Sequence, residues 1–213
     1  NLLMMDLFSN LNPQQQLAVK ASTGPILVLA GPGSGKTRVL THRIAYLIGV
    51  LGVRPYNTLA VTFTNKAARE MENRVNQLIG DHTRGLTLGT FPAICARLLR
   101  REAELLPFKS NFFIFDVDDQ VGLVKQAIRD LNLDDKRYRP GSIHAAISNA
   151  KNELILPEQF PVQNYRDEVV QRIFKRYQEM LISNNALDFD DLLLWTANLL
   201  ENNQPVRDRY ARR

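Results

Sequence analysis

The 213-residue chain has one cysteine and one tryptophan, and its three histidines are scattered. A lone Cys95 excludes an intramolecular disulfide and a cysteine metal cluster, and it points to a reducing compartment. Cys95 sits in an apolar, helix-like stretch and is expected in the core. His42, His82 and His144 have no metal-ligand spacing, so each is expected at the surface. No apolar run approaches the ~18 residues of a membrane span, and Asp6 interrupts the apolar opening where a leader peptide would continue. Internal repeats and low-complexity tracts are absent too. The expectation is a soluble cytoplasmic protein with no membrane partner. At 45% hydrophobic and 23% charged, the chain can bury a sizeable core and form two domains.

Acidic residues are scarce in the first half. Up to Pro107 there are 12 Lys and Arg against 6 Asp and Glu, and beyond it 15 against 16, within a net charge of +5. Such an excess favours a polyanionic partner such as DNA or RNA, although a basic face is often only a solvated one.

The basic half carries Ala30-Gly31-Pro32-Gly33-Ser34-Gly35-Lys36-Thr37, preceded by the apolar run Ile26-Leu27-Val28-Leu29 and followed by a helical pattern over 37–50. This order fits a phosphate-binding loop. A buried strand delivers a glycine-rich turn whose N–H groups enclose an anion, and the next helix aims its positive end at the same place. Lys36 then reaches the β- and γ-phosphates of a nucleoside triphosphate, and the Thr37 hydroxyl is a ligand for Mg²⁺. Ala30 stands where the usual pattern has its first glycine.

Ahead of the loop, Asn12 and Pro13 open a short helix with Gln14, Gln15 and Gln16 in its first turn. A glutamine amide matches the N6/N7 edge of adenine, but a glutamine-rich turn also reads as solvated surface. After the loop helix, strand candidates at 57–63 and 86–88 alternate with helices at 65–79 and 91–106. The alternation predicts an α/β fold, a parallel sheet covered by helices, with ligands at the carboxyl ends of the strands. Two strand-to-helix junctions then reach that edge: Thr62-Phe63-Thr64-Asn65-Lys66 and Gly89-Thr90-Phe91. Hydroxyls beside an aromatic ring suit single-stranded nucleic acid, whereas capping by Thr64 or Asn65 and burial of Phe63 or Phe91 are the alternatives.

From Pro107 onward one more strand candidate, Phe112 to Phe115, precedes purely helical patterns at 117–131, 142–151, 167–182 and 188–200. They predict a helical subdomain appended to or inserted in the α/β core. A P-loop NTPase also needs an apolar strand ending in a metal-site carboxylate. Asp116 follows Phe112-Phe113-Ile114-Phe115 but equally reads as a helix cap, and Leu187-Asp188-Phe189-Asp190-Asp191 lacks a preceding strand and reads as a capped helix start. A small-molecule kinase shares such a loop and sheet, but no acceptor pocket with a general base is evident.

Taken together, these residues resemble the start of a superfamily 1 DNA helicase of the UvrD/Rep/PcrA group, over nearly the whole chain. Leu11 to Val19 resembles the Q motif, with Gln15 at the adenine-recognising position. Ala30 to Thr37 resembles motif I, where alanine is common at the first position, and the ATP contacts continue to Arg38. Ala60 to Met71 resembles motif Ia and Gly89-Thr90-Phe91 the start of motif Ib, although Pro92-Ala93 replaces the usual His-Ser. Ala150 to Leu154 and Leu187 to Leu193 resemble stretches in and just after the helical 1B subdomain.

The resemblance implies a RecA-like, incomplete ATP-binding core at 1–110, a helical subdomain at 111–186, and a helical return at 187–213 that stops before the Asp-Glu pair of motif II. It further implies ATP and Mg²⁺ as cofactors, single-stranded DNA and duplex junctions as partners, and 3′-to-5′ movement by the parent protein. Asp116 is then not the metal carboxylate, and the fragment alone is expected to lack ATPase and unwinding activity. A non-catalytic nucleotide and single-strand binding module is the alternative.

Overall fold

The computed structural model describes residues 7–21 and 24–213, so the apolar opening as far as Asp6 lies outside the described residues. They divide into two compact units, one of residues 1–91 with 212–213 and one of residues 92–211.

In the first unit, helix α1 (Pro13–Lys20) starts where sequence logic places it. Asn12 is the N-cap, Pro13 takes the first helical position, and Asn12 and Gln15 cap each other reciprocally. α1 buries Val19 with Leu11 against Val39 of α2 (Lys36–Gly49). Arg43 of α2 fastens the other end, donating to the carbonyls of Ala18, Val19 and Ala21 at 3.0–3.2 Å. These bonds satisfy carbonyls that a helix end leaves without partners.

Strand β1 (Leu59–Val61) leads into α3 (Asn65–Ile79), and β2 (Thr87–Gly89) pairs with β1 in parallel, Leu59 opposite Thr87 and Val61 opposite Gly89. On α3, Ala68, Met71, Val75 and Ile79 fall on one buried stripe, and Met71, Val75 and Ile79 pack with Ile44, Ala45 and Ile48 of α2 and Ala60 of β1. The periodicity therefore builds this core as expected.

The strand expected at Ile26-Leu27-Val28-Leu29 does not form. These residues alternate between 41, 83, 44 and 85% exposure, as a strand's two faces would, yet no ladder pairs them among the described residues. β-structure needs a partner for its backbone groups, and among the described residues β1 and β2 pair only with each other, so no strand lies beside residues 26–29.

The second unit opens with α4 (Phe91–Arg101), which begins on the last residue of the first. It is shorter than the expected 91–106: the chain turns through residues 103–105 and is extended at Leu106, the residue that Pro107 restrains. Cys95 is buried as expected, with Leu99, Phe108 and Phe112. Three helices, α5 (Val117–Asp130), α6 (Pro140–Asn152) and α7 (Tyr165–Ser183), share one core built on Val124, Ile128, Ile147, Ile173, Phe174 and Tyr177. α8 (Phe189–Asn202) and α9 (Gln204–Ala211) complete the chain.

The expectation of helices alone after Phe115 is corrected here. Ala186–Leu187 forms a strand, β4, parallel to β3 (Phe113–Ile114). Two residues are too short for a periodic signal, and Ala186 and Leu187 are wholly buried, so no alternation marks them. His42 also departs from expectation: it is buried, its Nδ1 2.7 Å from the Leu7 carbonyl. No helix among the described residues is long and apolar enough to cross a membrane.

Candidate functional site

The glycine-rich loop turns through Gly33 and Gly35, both left-handed at φ +74° and +82°, so a side chain at either position is strained. The Ser34 hydroxyl donates to the Gly31 carbonyl at 2.6 Å and stiffens the turn. Gly35 sits at the N-cap of α2 and gives the helix no side-chain cap, leaving the first-turn N–H groups facing outward. Ala30, Gly31, Pro32 and Gly33 are exposed, as are Lys36, Thr37 and Arg38. The Lys36 ammonium rests on the Ala30 and Gly31 carbonyls, at 2.9 and 2.7 Å.

Beside this loop lies a cleft of about 420 Å³ lined by Gln15, Lys36, Thr37, Arg38 and Arg74 with the loop backbone. Three cations, an uncapped helix N-terminus and a hydroxyl form a donor set for a polyphosphate. The fit to a divalent ion is only partial, because the side-chain oxygens in that lining are the neutral ones of Thr37, Ser34 and Gln15, with no carboxylate, and no group of three His, Cys, Asp or Glu suited to a metal occurs among the described residues. Arg74 escaped sequence reasoning. It lies on the outer face of α3 in an ion pair with Glu70, a spacing that reads as a solvated helix pair. Of the three glutamines only Gln15 lines the cleft. Gln14 is exposed, and Gln16 gives its amide to the Phe8 and Leu11 carbonyls.

The two junction segments meet at one end of the β1–β2 ladder, where Thr62 N–H donates to the Gly89 carbonyl at 2.9 Å. Thr64 caps α3 through Ala67 N–H at 3.1 Å, so the capping alternative holds for Thr64, and Asn65 is the first helical residue. Burial does not hold for the rings. Phe63 is fully exposed at 104% and Phe91 is 59% exposed. A phenylalanine left in water forgoes about 1.5–3 kcal/mol of burial, so neither ring serves as a core anchor. Thr90 is half-buried beside them.

In the second unit Asp116 is the N-cap of α5 in a capping box with Asp119, which is the helix-start reading of that stretch. Asp188 caps α8 in the same way, with Asp191. Sequence reasoning missed what else these aspartates do. The Lys151 ammonium, wholly buried, lies 2.6 Å from Asp188 and 2.8 Å from Asp191. Tyr177 donates to Asp188 at 2.8 Å, and Gln178 to Asp191 at 3.1 Å. Burial pushes the Asp191 carboxyl up to about 6 although Lys151 draws it down. For Lys151 burial acts downward, but Asp191 and Asp188 outweigh it and hold the ammonium above its usual range. The cluster joins α6 and α7 to the start of α8. Its members are far apart in sequence, and each reads locally as a cap or an ordinary helix residue.

A family model described as the UvrD/REP helicase N-terminal domain matches residues 11–213. The chain is 46% identical over 215 residues to an ATP-dependent DNA helicase PcrA of Bacillus subtilis (strain 168), covering 100% of this chain and 29% of that protein. It is 46% identical over 209 residues to the PcrA of Staphylococcus aureus (strain Mu50), covering 97% and 29%. To the PcrA of Staphylococcus epidermidis (strain ATCC 35984) it is 47% identical over 200 residues, covering 93% and 27%. The chain thus spans less than a third of the length of these relatives.

Proposed function

The chain belongs to the UvrD/REP helicase family, and from that premise we propose that it is the ATP-binding and single-stranded-DNA-binding N-terminal region of an ATP-dependent DNA helicase that moves 3′ to 5′. The observation that carries the reading is the cleft beside the glycine-rich loop, where Lys36, Arg38 and Arg74 meet the uncapped start of α2. Mg-ATP, when bound, supplies the phosphoryl transfer that drives movement. Lys36 would exchange the Ala30 and Gly31 carbonyls for the β- and γ-phosphates, the loop N–H groups would hold the same anion, and Thr37 would be the protein's ligand to Mg²⁺. Gln15 faces the adenine edge, and Arg38 contacts the nucleotide beside the loop.

Phe63 and Phe91 stack on bases, while Thr62, Thr64, Asn65 and Thr90 hold phosphates with hydroxyl, amide and backbone groups. In the complete protein, residues 1–110 belong to a RecA-like core, 111–186 to a helical subdomain, and 187–213 to a return toward the core. The alternating exposure of Ile26 to Leu29 supports a strand of that core, and no strand among the described residues ends in the Asp-Glu pair expected of motif II. Without that pair the 213-residue chain binds and does not turn over.

Titrating a labelled single-stranded oligonucleotide at several salt concentrations tests the DNA half of the reading. Phosphate contacts demand a steep linear fall of log affinity with log salt, with each contact adding roughly 0.7 to the slope. A flat response rejects the DNA-binding assignment and leaves the nucleotide site to be judged by ATP binding alone.

A further inference from the structure

Gln15 is held from two sides. Its Oε1 accepts the Asn12 N–H at 3.0 Å, its Nε2 donates to the Ser34 carbonyl at 2.9 Å, and Asn12 Oδ1 accepts the Gln15 N–H at 2.8 Å. The first and third bonds are the reciprocal cap of α1, and the second crosses to the phosphate loop. A carboxamide has two acceptor lone pairs and two N–H groups. One of each is engaged by the protein, so one of each remains, on a half-buried side chain that lines the cleft.

The bonds also fix which end of the amide is oxygen. Rotation by 180° would set Oε1 against the Ser34 carbonyl oxygen and Nε2 against the Asn12 N–H, two repulsive pairs in place of two hydrogen bonds. The remaining acceptor and donor therefore lie in a set order. Adenine presents a donor beside an acceptor, N6–H and N7, whereas guanine presents two acceptors, O6 and N7. The fixed amide can satisfy both groups of adenine and only one of guanine. Gly35 belongs to the same arrangement, since a Cβ there would lie 2.7 Å from Gln15 Nε2.

We propose that Asn12 is a positioning residue for base selection: its reciprocal cap with Gln15, together with the Gln15–Ser34 tie, sets the amide to read adenine and fastens the base reader to the loop that grips the phosphates. The inference rests on reading the cleft as a nucleoside triphosphate site. Asn12 touches no nucleotide; it acts through Gln15.

The test is calorimetric titration of the 213-residue chain with ATP, GTP and inorganic tripolyphosphate, for the wild type and the Asn12→Ala, Asn12→Ser and Gln15→Glu variants. The wild type is expected to bind ATP more tightly than GTP or tripolyphosphate. Asn12→Ala removes the acceptor that holds the Gln15 backbone and should weaken ATP about tenfold, toward GTP, with tripolyphosphate unchanged. Asn12→Ser restores a capping oxygen and with it the preference. Gln15→Glu keeps the Asn12 bond but sets a carboxylate oxygen against the Ser34 carbonyl, and it should lose the ATP preference even if Asn12→Ala folds poorly. An equal fall for all three ligands in Asn12→Ala marks the cap as merely structural and overturns the proposal. Equal wild-type affinity for ATP, GTP and tripolyphosphate overturns it too, yet leaves the phosphate site standing. A wild type that binds none of the three removes the nucleotide reading and the proposal together.

Discussion

A fully exposed Phe63 and a fully buried Phe174 carry the same side chain under opposite demands. Replacing Phe174 with alanine empties the core shared by α5, α6 and α7 and should cost about 3–5 kcal/mol of stability. Phe63→Ala removes no packing, so its melting temperature should match the wild type, while single-strand affinity falls roughly ten- to a hundredfold with the lost base stacking. Fluorescence anisotropy beside a thermal melt checks both halves, and a Phe63→Ala protein that melts early with unchanged DNA affinity would reverse the assignment. At this scale the sequence was informative where chemistry dictates residue type, as at Gly33, Gly35, Lys36 and Thr37. Residue chemistry alone did not separate Gln15 from Gln14 and Gln16, which only the resemblance did, and nothing in the sequence took Arg74 from the solvated face of α3, because that choice depends on what tertiary packing brings alongside.

The elements were legible in proportion to their length. α3 and α7 announce themselves by apolar stripes, whereas β4 is two buried residues without a pattern and Ile26 to Leu29 is a strand pattern without a partner. The Lys151 cluster belongs to this scale, since it fixes where α8 begins. Asp191 titrates near 6 when folded, above its ordinary 3.8, so between those values the folded state holds a proton that the unfolded state releases. Its contribution to stability is therefore present below about pH 4 and lost as pH rises through about 6. Asp191→Asn retains an oxygen for the Asp188 N–H and removes the titration. Its urea midpoint relative to wild type should rise between pH 4 and 7, and a constant difference across that range would exclude Asp191 as the titrating group. Lys151→Met should act in the opposite sense, leaving two buried carboxylates without their cation at a cost of about 3–5 kcal/mol.

For the molecule as a whole, the proposed function puts the phosphate grip at residues 30–37 and the catalytic carboxylates in a different stretch of sequence. The 213-residue chain should show no Mg-dependent ATPase activity, with or without single-stranded DNA, since the proposed function leaves the metal-site carboxylates outside these residues and their loss removes orders of magnitude. A coupled assay reads this directly, and turnover that disappears in Lys36→Ala would place a working carboxylate within these residues. The unpaired stretch from Ile26 to Leu29 also has a consequence during synthesis. At about 5–20 residues per second, roughly 10–40 s separate the translation of Leu29 from that of Arg213. Throughout that time four apolar side chains and their backbone stay without a ladder while the helices of the second unit, made of nearby sequence, can already close on one another. A stretch synthesised ahead of α5 to α7 is then finished after them, and the ribosome-bound intermediate should bind an apolar-seeking chaperone at Ile26 to Leu29 in preference to any segment of α5 to α7.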